Sequence, residues 1–142
     1  MAAACDACNI CNTGGTVTLV QGYAKTFCLY LFTADDCTCA TLQSLPFDLT
    51  TATEITAAFP ATIAGPPVTL TKSGSGGITI IGSPVLGHID LAMTAIKSAL
   101  LQVNPSGPQG QDLQISVVNP SGTFVFLYPN YLDIVAPPYG VV

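Results

Sequence analysis

The chain has no arginine and no tryptophan, and it carries only three lysines and one histidine in 142 residues. Nucleic-acid binding needs several cations along one groove to displace counterions, and Lys25, Lys72 and Lys97 are too few and too scattered for that. Charge of either sign is scarce: 8% of residues are Asp, Glu, Lys or Arg, against roughly 25% in an average soluble domain. No apolar run approaches the roughly 20 residues that span a bilayer. The start, Met1 to Cys5, has no basic segment ahead of a long apolar stretch, so a cleaved secretion signal is not expected.

A mean hydropathy of +0.56 with so few charges leaves little to keep copies of the chain apart. A homo-oligomer or an assembly subunit is therefore expected, with neighbours covering part of the surface. Nucleic acid and membrane are not expected partners.

Composition divides the chain into a cysteine-rich arm (residues 1–15), a β-rich body (16–135) and a proline-bearing tail (136–142). Within the body, short β-favouring runs recur every eight to twelve residues between turn signals. Strands are expected at residues 16–20, 24–33, 53–59, 68–70, 78–81, 88–93, 113–118 and 123–128, with a short extended piece at 45–49 and with 131–135 ending the body. Residues 88–93 alternate strictly, which places Ile89, Leu91 and Met93 on one face and His88, Asp90 and Ala92 on the other. Thr94 can cap one short helix at 95–102, with Ile96, Ala99 and Leu100 on one stripe. Ser73 to Gly77 reads as a hairpin loop, and Asn119 to Gly122 as the turn of a second hairpin. This rhythm is that of an all-β antiparallel sandwich with one short helix.

Six cysteines are present. Cys5, Cys8 and Cys11 follow C-x2-C-x2-C, Cys28 lies in a strand, and Cys37 and Cys39 are separated by one residue. Disulfides, within or between chains, are the favoured state for Cys5, Cys8, Cys11, Cys37 and Cys39, because an arm outside the core is placed to staple one molecule to another. Cys28 is the least secure member of that set, since a thiol in a β run also packs as a small apolar side chain. A zinc site built from Cys8, Cys11, Cys37 and Cys39 is the alternative, though C-x-C is a poorer half-site than C-x2-C. An iron–sulfur centre lacks the fourth ligand of its spacing pattern. No cofactor and no resident metal are expected.

Catalysis finds no constellation. His88 and Asp90 lack a nucleophile motif, and the eight carboxylates are dispersed. The segment Ser73 to Gly77 lacks the Lys-Ser/Thr of a phosphate loop and precedes a strand. The chain is not expected to be an enzyme.

The order of motifs carries a resemblance. TVTLVQGYAKTF opens the body, followed by PFDLTTATEITAAF, VTLTKSGSGGITIIG, LGHIDLAMT and GQDLQISVVNPSGTFVFLYPNYLDIV. From Val17 to Val135 this resembles the immunoglobulin-like β-sandwich virion proteins of tailed phages, similar to the N-terminal domain of baseplate upper proteins. The resemblance implies a non-enzymatic structural part of a neck, collar, baseplate or fibre, oligomeric with a trimer favoured, contacting other virion proteins. It implies synthesis in the host cytoplasm and residence in the virion. The arm and the Cys37–Cys39 pair depart from that pattern. A module binding a host surface or glycan, through loops such as 73–77 or 104–110, is the alternative function.

Overall fold

The computed structural model describes residues 17–31, 47–104 and 111–137. Eight strands are formed among them: β1 (Val17–Val20), β2 (Lys25–Tyr30), β3 (Glu54–Phe59), β4 (Val68–Thr71), β5 (Ile78–Ile80), β6 (His88–Met93), β7 (Gln111–Asn119) and β8 (Gly122–Val135). A 3-10 turn at Pro84–Leu86 and one helical turn, α1 (Ala95–Ser98), complete the regular structure.

Strand periodicity explains why these segments form two layers. In β6 the buried residues are Ile89, Leu91 and Met93, and in β2 they are Phe27 and Leu29. The same alternation buries Ile55, Ala57 and Phe59 of β3 and Leu113, Ile115 and Val117 of β7. Each strand thus offers one apolar row, which only a second sheet can cover. The larger sheet runs β1-β8-β7-β3-β4 and the smaller β2-β6-β5, and their inner rows form one continuous core.

This connectivity is that of an immunoglobulin-like sandwich. In immunoglobulin strand order the small sheet is B-E-D and the large one G-F-C-C′, with the first strand added beyond G. The expected all-β immunoglobulin-like sandwich is therefore the observed one. Its ladders are antiparallel except β1–β8, which is parallel from Val17↔Leu132 to Val20↔Val135. These are the first and last strands, so no short hairpin needs to join them. The core differs from antibody domains in its pin. Cys28 on β2 points away from the core, between the inward-facing Phe27 and Leu29.

Three local expectations are corrected. The loop at Ser73–Gly77 is not a hairpin: β4 pairs with β3 in one sheet and β5 with β6 in the other, so the loop crosses between layers. The helix ends at Ser98 rather than at 102, because Leu101 leaves it to enter the core and bridges Thr62, while the Gln102 amide donates to the Ala61 carbonyl at 3.0 Å. Its apolar stripe is not a core stripe. Ile96 is 82% exposed and Leu100 52%, whereas Ser98 is fully buried. The third concerns the end of the body. The return strand expected at 123–128 runs on to Val135, with two extra residues accommodated between Tyr128 and Leu132 where β7 advances only from Leu113 to Gln111. Pro129 falls in that irregularity, the place a strand tolerates a residue with no amide to donate.

The 119–122 hairpin is as expected. Asn119 pairs with Gly122, and the Ser121 amide donates to the Asn119 side-chain oxygen at 2.8 Å. Thr94 caps α1 by accepting the Lys97 amide at 3.2 Å. Among the described residues, no helix is long and apolar enough to cross a membrane.

Candidate functional site

The outer face of the small sheet gathers the chain's least common chemistry. Because Phe27 and Leu29 point inward, Thr26, Cys28 and Tyr30 must point out; by the same parity His88, Asp90 and Ala92 leave the outer face of β6. The antiparallel register sets Cys28 directly opposite Asp90, and Tyr30 opposite His88. Thr79 of β5 flanks Asp90 on its other side. Directly opposed and diagonal neighbours on one face are the pairs that interact in a sheet.

The side chains converge. A ligand atom of Cys28, one of His88 and one of Asp90 all lie within 4.8 Å of one another, and all three residues are half-buried. Tyr30 stacks on His88 with ring centroids 4.3 Å apart and planes inclined by 20°, which restricts the orientation of the imidazole. Tyr30 is anchored in turn, since its carbonyl accepts the Tyr128 hydroxyl at 3.3 Å. The sulfur of Cys28 is engaged in a disulfide. Cys28 is the one described cysteine, so the other half of that bridge lies outside the described residues, as do Cys5, Cys8, Cys11, Cys37 and Cys39.

Sequence reasoning placed His88 and Asp90 together but not Cys28, because the β2–β6 register joins residues about sixty positions apart. The outward parity of Cys28 was readable from Phe27 and Leu29, both strongly apolar. Its position opposite Asp90 was not.

A second organised feature surrounds the crossover after β4. Glu54, the first residue of β3, accepts the Ile55 amide at 2.9 Å and the Lys72 and Ser73 amides at 3.0 Å each, together with the Ser73 hydroxyl. The Ser73 hydroxyl holds this carboxyl below its ordinary value; burial opposes the shift, and the three backbone amides support it. Asp48 is lowered as well, by the hydroxyl and then the amide of Thr50, in a local turn.

The third feature is apolar. The Ile63 amide donates to the Leu100 carbonyl at 2.9 Å, which brings the 61–63 segment beside α1. Ile63 is 64% exposed, so with Ile96 and Leu100 it leaves three aliphatic side chains facing outward at this end of the sandwich.

No family model and no curated protein matches the chain. Nine chains of solved structures match, among them the extracellular portion of mouse CD200RLa. The similarity covers 87% of this chain and 57% of that one at 15% identity, with a TM-score of 0.36. This chain thus spans little more than half the length of that structure, and at such a score the fold assignment rests on strand order, not on the likeness.

Proposed function

We propose that this chain is a non-enzymatic structural and attachment subunit of a tailed-phage virion, at a neck, collar, baseplate or fibre. The supporting observation is the exposure of Ile63, Ile96 and Leu100 around α1 in a chain with only 8% charged residues. Such a surface favours burial against a neighbour, and stable interfaces draw their strength from apolar anchors of this kind. The order of motifs from Val17 to Val135 supports the phage assignment through its resemblance to sandwich domains of that class. In this reading the subunits form a homo-oligomer, with a trimer favoured, and contact other virion proteins. Disulfides from Cys5, Cys8, Cys11, Cys37 and Cys39 oppose dissociation. The virion is the proposed location, after synthesis in the host cytoplasm.

The test is sedimentation of the purified full-length protein, with non-reducing and reducing gels and mass-spectrometric identification of the chain in purified particles from its source. An oligomer in solution, covalent multimers that collapse on reduction and recovery from particles are expected. A monomer at high concentration that is absent from particles overturns the proposal.

A further inference from the structure

We propose that the end of the sandwich opposite α1, formed by Val85, Leu86 and Phe124, docks the α1 end of a second copy of this chain, so that copies associate head to tail. The inference rests on the attachment role proposed for the α1 end and names the surface that receives it.

The length of the strands separates the two ends. β6 leaves the Pro84–Leu86 turn at His88 and delivers Met93 to α1, a rise of about 20 Å. β8 makes the same journey, from Phe124 beside the hairpin to Val135, whose carbonyl accepts the Gln21 amide at 2.9 Å. The turn is seated without slack. The Leu49 amide donates to the Pro84 carbonyl at 2.9 Å, and a Cβ added to Gly87 would lie 2.6 Å from the Leu31 carbonyl oxygen. Val85 and Leu86 therefore stay about half exposed. Phe47, in the segment that holds the turn, meets Phe124 edge to face with ring centroids 5.3 Å apart, and the exposed Phe124 ring continues the patch.

Shape, area and charge favour the meeting of unlike ends. Ile63 and Ile96 are the most exposed large apolar side chains described, and they project as knobs, whereas the turn end is flatter around the buried Phe47. Knobs set against knobs leave gaps, and interface cores are packed as closely as interiors. Five strands about 4.8 Å apart in two layers about 10 Å apart make an end of roughly 20 by 20 Å. One contact thus buries about 400 Å² per chain, half of the ~800 Å² per partner of a standard interface. An α1-to-α1 pair uses one end of each chain; a head-to-tail assembly uses both ends and reaches that area. Among the described residues, Lys25, Lys97, Asp112 and Asp133 lie toward the α1 end and balance. Asp48, Glu54 and Lys72 leave the turn end net negative, and Asp90 lies midway along β6. Two turn ends would repel, and a turn end facing an α1 end does not. Such heterologous contacts close into a ring or continue as a stack, according to the rotation between successive copies.

The experiment is sedimentation velocity with native mass spectrometry on the full-length chain under reducing conditions, over a range of concentrations. One variant carries Val85→Asp and Leu86→Asp, the other Ile96→Asp and Leu100→Asp. Each alone should associate tenfold or more weakly than the parent. Mixed, they retain one intact contact, so a species of two chains, one of each variant, is expected that does not grow with concentration. A mixture that stays monomeric overturns the inference. A turn-end variant that associates like the parent, while the α1 variant does not, overturns it and leaves the attachment reading standing. An α1 variant that associates like the parent, or a parent that is itself monomeric, removes that reading and this inference with it. Should the turn-end variant lose cooperative unfolding, Leu86→Ser alone takes its place: association weakened severalfold supports the contact, and association unchanged overturns it.

Discussion

Ser98 holds Val20 across 78 residues: its buried hydroxyl donates to the Val20 carbonyl at 2.9 Å and accepts the Gly22 amide at 3.1 Å. The side chain of Gln21 adds a bond to the Leu101 carbonyl at 2.7 Å. The turn between β1 and β2 is therefore fastened to α1 by polar contacts, while the apolar residues of α1 face outward. Ser98→Ala leaves the Gly22 amide without this acceptor, whereas the Val20 carbonyl keeps the Tyr23 amide at 3.0 Å. A loss of about 1 kcal/mol is expected, the low end for an orphaned donor, because Gly22 is only half-buried. Ile96→Ser, at an exposed position, should stay within about 0.5 kcal/mol of the parent. Urea unfolding of both variants checks the contrast, and equal losses would refute it.

Glu54 supplies the pH dependence. Its carboxyl is lowered in the folded state, so its contribution to stability is complete above the unfolded value, about 4.3. That contribution is lost as pH falls through the depressed folded value. Glu54→Gln should be less stable than the parent at neutral pH, and the gap should narrow as the solution is acidified below the ordinary carboxylate range. Urea midpoints measured from pH 7 to pH 3 test this. A gap that widens on acidification has the wrong sign for the mechanism.

How much of this was legible in the sequence depends on how local the cause is. The six residues of β6 are found where alternation puts them, because one face of a strand must be apolar when the other meets solvent. The Asn119 turn and the Thr94 cap are equally local, each fixed by a side chain bonding the backbone two or three residues on. What was hidden depends on pairing. Nothing near Ser73 says that β4 and β5 join different sheets, and the helical stripe of Ile96 and Leu100 gives no sign that Leu101 leaves it to bridge Thr62. Pro129 looks like a strand end until a partner with fewer residues makes it an irregularity within β8. The Cys28, His88 and Asp90 cluster belongs with these, since it exists only through register.

Gly77 tests the crossover directly. With φ at +100°, an added Cβ would lie 2.8 Å from the Ala92 carbonyl oxygen, a backbone atom that cannot yield without disturbing the bond it flanks. The Ala92 amide donates to the Gly77 carbonyl at 2.7 Å. Gly77→Ala should therefore cost about 1–3 kcal/mol or more, combining backbone strain with a steric clash. Gly74 also has a positive φ, +60°, but open space around it. Gly74→Ala should cost only about 1 kcal/mol. Thermal unfolding that ranks the two in the opposite order would mean that the chain does not change sheets tightly at Gly77.

The aliphatic group around α1 separates folding from association. Ile63, Ile96 and Leu100 are largely exposed, so replacing them removes little buried area from the core of a single chain. In an oligomer the same atoms leave water, at about 25 cal/mol per Å² of apolar surface. A charge placed there would also be desolvated without a partner. The double substitution Ile96→Asp and Leu100→Asp should shift the protein toward monomer by tenfold or more in dissociation constant, since about 1.4 kcal/mol suffices for that factor. Its monomer should unfold within about 1 kcal/mol of the parent. Sedimentation velocity under reducing conditions isolates this apolar contribution from any covalent one. If the oligomer persists unchanged while disulfides are reduced, the interface lies elsewhere on the sandwich. If the variant loses its cooperative unfolding transition, these side chains support the core and are not an attachment surface.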